Sequence, residues 1–203
     1  MRKVMGPGAA LWTAAALLAL PAVANAAEVF RPHVATGWSA HLPDAWKLAL
    51  KQKLSAEAHF GKHTFHSPNK NGQLKVTIRR DNGGKFAELI AANHAKLIAR
   101  LTDPKVVAEG KDVEADKEVS FKVVTGKMLR TNFMRDFTIG RVFIRDLKHK
   151  RLLTLTLAMS HEKIEKFNEI FEKLMTTFEL IDPKPLAPSN PKAPALKPAG
   201  HKA

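Results

Sequence analysis

From Glu28 to Ile181, apolar residues recur at every second position, then at helical spacing, then at every second position again, and last at helical spacing once more. That succession predicts strands, a helix, more strands and a closing helix. Residues 34–54 read as two short strands around Leu42-Pro43-Asp44-Ala45-Trp46, where Pro and Asp mark a turn and Trp46 restarts the apolar pattern. His59 to Pro68 and Gln73 to Arg80 read as a hairpin around Asn69-Lys70-Asn71-Gly72, with Leu74, Val76 and Ile78 alternating inward. Asp81-Asn82-Gly83-Gly84 then ends the strand. Glycines before a helix can leave N–H groups free for an anion, but this tetrapeptide supplies the dihedrals of a turn, which is the favoured reading.

Phe86, Leu89, Ile90, Leu97, Ile98 and Leu101 follow at helical spacing until Asp103-Pro104 stops the pattern. His94 falls beside that stripe and is expected to be buried and hydrogen-bonded. Three strands are predicted between Lys105 and Leu147. Val119, Phe121 and Val123 share one parity, as do Leu129, Phe133 and Phe137. Ile139-Gly140 and Lys148-His149-Lys150-Arg151 read as turns on either side of a strand carrying Val142 and Ile144. After a strand with Leu153, Leu155 and Leu157, Ser160 is the expected N-cap of a helix with Glu162 and Glu165 in its first turn. Its stripe of Ile164, Phe167, Ile170, Phe171, Leu174, Met175 and Phe178 is wide enough for core packing. Short turns between successive strands imply an antiparallel sheet, and two separated amphipathic helices make the chain α+β.

The order of these elements carries a resemblance. Leu42-Pro43-Asp44-x-Trp46 comes first, then the strand end Phe65-His66-Ser67-Pro68 and a hairpin, a central helix, a strand meander, and a closing helix with Phe167, Phe171, Met175 and Phe178. The whole, over about residues 34–181, resembles the PsbP-like family, which includes the extrinsic PsbP subunit of photosystem II, DcrB-type periplasmic proteins and the Ran-binding Mog-type import factor. The resemblance implies an α/β/α sandwich, a central antiparallel sheet with helices packed on it, used for binding or assembly. It carries no catalytic residue set, and members bind different partners, so function does not follow from fold.

The two ends differ from the middle. Met1-Arg2-Lys3, the apolar run Leu11 to Leu20 and Ala22-Val23-Ala24-Asn25-Ala26 form the pattern of a secretory signal peptide cleaved after Ala26. The run is shorter than the roughly 20 residues a spanning helix needs, and nothing downstream offers a second candidate. From Asp182 to Ala203, six of the chain's 12 prolines alternate with Lys and Ala, which predicts an extended tail outside the core. Residues 1–26, 27–181 and 182–203 are therefore expected to be leader, globular domain and tail, and the mature protein to be periplasmic or secreted.

Composition narrows the chemistry. The absence of cysteine excludes disulfides, thiolate metal sites, iron–sulfur clusters, a catalytic thiol and lipoprotein acylation. No nucleophile elbow, His-Glu-x-x-His helix or phosphate loop is present, so no catalytic residue and no cofactor is assigned. His59, His63 and His66 would share a face of a helix, but as a strand the segment puts His59 and His63 roughly 13 Å apart at ~3.3 Å per residue and turns His66 away. His59 and His63 therefore stand as weak metal candidates, and a metal-assisted hydrolase built on them as an alternative reading.

The formal charge of +14 is the more coherent signal. If the alternating apolar residues face the core, strand parity puts Lys75, Arg79, Lys122, Arg130, Arg141 and Arg145 on the opposite face with Phe143 embedded among them. A helix lying over that face would instead make Phe143 part of the core. The sequence thus points to an exported, non-catalytic module that binds an envelope protein or an anionic surface or polymer through its basic face and tail, with peripheral membrane contact allowed and nucleic acid excluded by export. A small-ligand carrier is the remaining alternative, and it requires an apolar pocket of about 300 Å³ or more between sheet and helix.

Overall fold

The computed structural model describes residues 29–35, 37–55, 60–130 and 133–182, except the side chains of 50–55 and Arg130. The predicted leader, nearly all of the predicted tail, and His59 lie outside the described residues. The chain runs β1 (Phe30–Ala35), β2 (Trp38–Pro43), β3 (Lys47–Ser55), β4 (Phe60–His66), β5 (Gly72–Arg80), α1 (Phe86–Ile98), β6 (Thr102–Val113), β7 (Lys117–Arg130), β8 (Phe133–Asp146), β9 (Arg151–Ser160), α2 (Ile164–Thr177) and β10 (Glu179–Leu180). Seven strands form one antiparallel sheet in the order β3-β4-β5-β9-β8-β7-β6, and β1-β2-β10 form a small second sheet. No helix among the described residues is long and apolar enough to cross a membrane.

The large sheet is the middle layer of a sandwich, as the family resemblance implies, with α2 on one face and α1 on the other. On one face, Val76, Val142, Leu155 and Leu157 pack under Phe167, Ile170 and Leu174 of α2, together with Trp38 of β2. The other face carries α1 through two separate apolar clusters. Leu97 and Leu101 pack on Val124, Phe137, Ile139 and Ala158, while Phe86 packs on Phe143 and Leu152. The Leu42-Pro43-Asp44-x-Trp46 segment is structural: Trp46 N–H donates to the Pro43 carbonyl at 2.9 Å and Arg31 pairs with Asp44 at 2.9 Å.

Several local expectations are corrected. Ile139-Gly140 is no turn; both residues lie inside β8, paired with Ala158 and Leu157. Gly140 stands there because the rings of α2 come down on it: a Cβ would lie 2.5 Å from Phe171 Cε2 and 2.9 Å from Phe167 Cζ. Leu129 and Phe133 do not face the core but are 66% and 69% exposed. Pairing explains it, since β9 ends at Ser160 opposite Phe137, and the last residues of the β7–β8 hairpin extend past it with only each other as partners. Ser160 makes no side-chain cap; the chain passes through a single 3-10 turn at His161–Lys163 before α2 begins. Gly83 and Gly84 have φ of 85° and 102°, and Asp81 Oδ1 accepts from Gly83 N–H at 2.9 Å, which is the turn chemistry expected there.

Candidate functional site

Register places the basic residues. Across the sheet Thr64 lies opposite Lys75, Lys75 opposite Thr156, Thr156 opposite Arg141, Arg141 opposite Lys122, and Lys122 opposite Glu109. Directly opposed residues point to the same face, so this is one transverse row of polar side chains on the α1 side. The next row contains Lys62, Thr77, Thr154 and Phe143, and the one beyond it Arg79, Leu152 and Arg145. Lys75, Arg79, Lys122, Arg141, Phe143 and Arg145 thus share one face of the sheet, while the Arg130 side chain is outside those described.

The face is not an open basic surface, because α1 lies over part of it. Phe143 is fully buried and stacks on Phe86 with ring centroids 5.8 Å apart, so it is core and cannot be an exposed aromatic contact. Arg145 is neutralised: its Nε donates to Asp81 Oδ2 at 2.5 Å and its Nη1 to Glu118 Oε2 at 3.2 Å, and the Asp81 bond in particular raises its pKa. Lys122 pairs with Glu109 at 2.7 Å. Arg79 stays exposed.

Arg141 is different. Its Nε donates to Thr156 Oγ1 at 3.1 Å, and its Nη1 to the Asn93 carbonyl at 2.9 Å and Asn93 Oδ1 at 3.1 Å. All of these acceptors are neutral. Burial first, and the charge of Arg100 second, push its pKa down to about 10, which still leaves it protonated at neutral pH. Lys75 is lowered by burial and then by Lys62, Arg100 and Arg141. Among the described residues, none of Lys62, Lys75, Arg100 and Arg141 is ion-paired to a carboxylate. His94 extends the same pattern. It is buried as expected, but its Nε2 has no hydrogen-bond partner among the described residues, and burial followed by Lys122 and Arg141 lowers its pKa.

These groups occupy a polar strip between the two apolar clusters that hold α1 to the sheet. A buried charge without a counter-charge is costly, and apolar side chains in that row would continue the packing on either side. The strip instead sets like charges side by side on the sheet next to α1: Lys62, Lys75 and Arg141 are half-buried, and Arg100 stands exposed just past the end of the helix. Its free chemistry is that of an anion receptor: a guanidinium fixed by neutral acceptors, two ammonium groups, a second guanidinium, and threonine hydroxyls. Lys62, Arg100, Asn93 and Thr156 escaped the sequence reading. Parity alone could have assigned Lys62 and Thr156 to this face, but Arg100 and Asn93 arrive with α1, whose placement no strand pattern specifies.

The histidine candidates resolve differently. His63 is buried in a ring cluster with Trp38 and Phe65, and its Nδ1 accepts from Trp38 Nε1 at 3.0 Å, so that lone pair is already engaged in the core. No three His, Asp or Glu side chains among the described residues gather as a metal-ligand set.

No protein-family model and no curated protein sequence matches the chain. Solved structures do. The Ran-binding protein Mog1p of Saccharomyces cerevisiae superposes with a TM-score of 0.54 at 8% identity, covering 77% of this chain and 97% of that one. Cyanobacterial PsbP from Synechocystis gives 0.49 at 12% identity over 81% and 99% of the two chains. LpqN of Mycobacterium tuberculosis, described as involved in cell envelope biogenesis, gives 0.45 at 12% identity over 75% and 90%. The likeness to Mog1p extends over nearly all of that protein and shows that the two share a fold; at this identity it shows nothing finer.

Proposed function

We propose that this chain is an exported, non-catalytic binding module of the cell envelope that holds an acidic partner, protein or polymer, on the basic row beside α1 on strands β4, β5 and β8. Export rests on the leader pattern of residues 1–26. Binding rests on one observation above the others: Arg141, half-buried and held only by neutral acceptors, lies within electrostatic reach of Arg100 and Lys75, and Lys75 of Lys62, with none of the four ion-paired to a carboxylate among the described residues. An anion bound there relieves the mutual repulsion of Lys62, Lys75, Arg100 and Arg141, and that relief is largest where solvent screening is weakest. Lys122 and Arg145, already paired, are structural on this reading, and Phe143 anchors α1. That Mog1p is a Ran-binding protein agrees with use of this fold for protein recognition.

The test separates a site from mere net charge. Lys75→Glu/Arg100→Glu and the charge-matched Lys47→Glu/Lys70→Glu change the total charge equally. Binding to an immobilised polyanion at about 0.15 M salt is expected to weaken about tenfold or more in the Lys75→Glu/Arg100→Glu variant and far less in the control. Equal weakening in both would reduce the effect to bulk charge.

A further inference from the structure

A second site of opposite character lies on the other side of the sheet. Where the C-terminal end of α2 and β10 cross β7, β8 and β9, the structure leaves an open-sided cavity of about 440 Å³. That volume is within the range of small-molecule sites, about 300 to 1,000 Å³. Its floor is apolar, formed by Val119, Val142, Ile144 and Leu155 of the sheet with Met175 and Phe178 above them. Its rim is mixed in charge but acidic in balance: Glu114, Asp116, Asp146, Glu179 and Asp182 line it together with Lys117, Lys148 and His149.

Three of those carboxylates are already matched. Glu114 pairs with Lys117 at 3.0 Å, Asp182 with Lys148 at 3.0 Å, and Asp146 with Arg151. Asp116 and Glu179 have no cationic partner among the described residues. Both are exposed at the edge of the apolar floor. An apolar ligand without charge leaves those carboxylates unmatched, and an anionic one meets them with repulsion.

We propose that this cavity binds a small amphiphilic cation, with an aliphatic or aromatic body on the floor and one ammonium or guanidinium head at Asp116 and Glu179. The inference is independent of the basic row, which lies on the opposite face of the sheet and carries the opposite charge. For a chain of +14, selection of a cation runs against the net field and so can come only from local groups.

Octylammonium and octanesulfonate, equal in chain length and opposite in charge, are the probes. On the mature full-length chain, octylammonium is expected to shift the methyl resonances of Met175, Ile144 and Leu155 saturably, with octanesulfonate about tenfold weaker at the same methyls. Asp116→Asn/Glu179→Gln, both at exposed positions, should lower octylammonium affinity about tenfold while the floor methyl spectrum of the free protein is unchanged. Sulfonate binding as tight as ammonium at these methyls overturns the proposal. So does silence with both probes, the result if another segment of the chain fills the cavity. Floor methyl shifts that follow protein concentration without added probe would give the cavity to a second copy, and would equally overturn it.

Discussion

Arg151→Ala is expected to cost about 3 to 5 kcal/mol of stability, a large share of what a domain of this size has. Arg151 is fully buried, and its Nε and Nη2 donate to Asp146 Oδ2 at 2.8 and 2.6 Å. Its Nη1 donates to the Ile181 carbonyl at 3.1 Å, and Ile181 N–H in turn reaches the Gly37 carbonyl at 3.1 Å. One guanidinium therefore ties the β8–β9 turn to the strand after α2 and to the small sheet. Truncation strands the nearly buried Asp146 carboxylate and frees that last segment. Replacing the pair by apolar residues of similar size, as in Asp146→Leu/Arg151→Met, should recover most of the loss, because the penalty comes from the orphaned charge.

The cost has a pH signature. Burial alone would raise the Asp146 carboxyl, but the bonds from Arg151 and His149 outweigh it and hold the pKa below its ordinary value. Its contribution is present above the unfolded-state value of about 3.9 and is lost as pH falls through the lower native value. The gap between wild type and Arg151→Ala should therefore be widest near neutrality and close in acid. Urea unfolding at several pH values measures it, and a gap below about 1 kcal/mol at neutral pH would show that Asp146 finds another partner.

Gly140→Val should be the most disruptive change in the sheet. The Cβ positions already given leave no room for Phe171 and Phe167, whose rings stack at 5.4 Å. Added atoms must lift α2 from β8, at an expected cost of about 1 to 3 kcal/mol for Ala and more for Val. Gly140→Ala combined with Phe171→Leu should cost less than the two single changes summed, since the second makes room for the first. Additivity within about 0.5 kcal/mol would mean that the rings do not constrain this position.

The sequence made the α2 face easy to read because burial there is one-sided. Phe167, Ile170 and Leu174 recur at helical spacing, and Leu74, Val76 and Ile78 alternate, so each element declares its inward side by itself. Parity likewise gathered Lys75, Arg79, Lys122, Arg141 and Arg145 on one face. What each does there was not legible, since it depends on α1, whose lie is set by tertiary packing of Phe86 on Phe143 and Leu97 on Val124. That placement turned Phe143 into core and left Arg141 the least compensated charge. Gly140 looked like a turn because a glycine needed for close approach has the same letter as one needed for its dihedrals. Leu129 and Phe133 kept the alternation of a core strand while their hairpin outran the neighbouring strand that would have covered them.

Whether the basic row beside α1 receives an anion is decided by amide chemical-shift mapping with tripolyphosphate. Saturable shifts clustered at Lys75, Asn93, His94 and Thr156, weakening as salt is raised, are expected. Shifts spread over Lys47, Lys70 and other exposed lysines, with none at Asn93 and Thr156, would show that it does not.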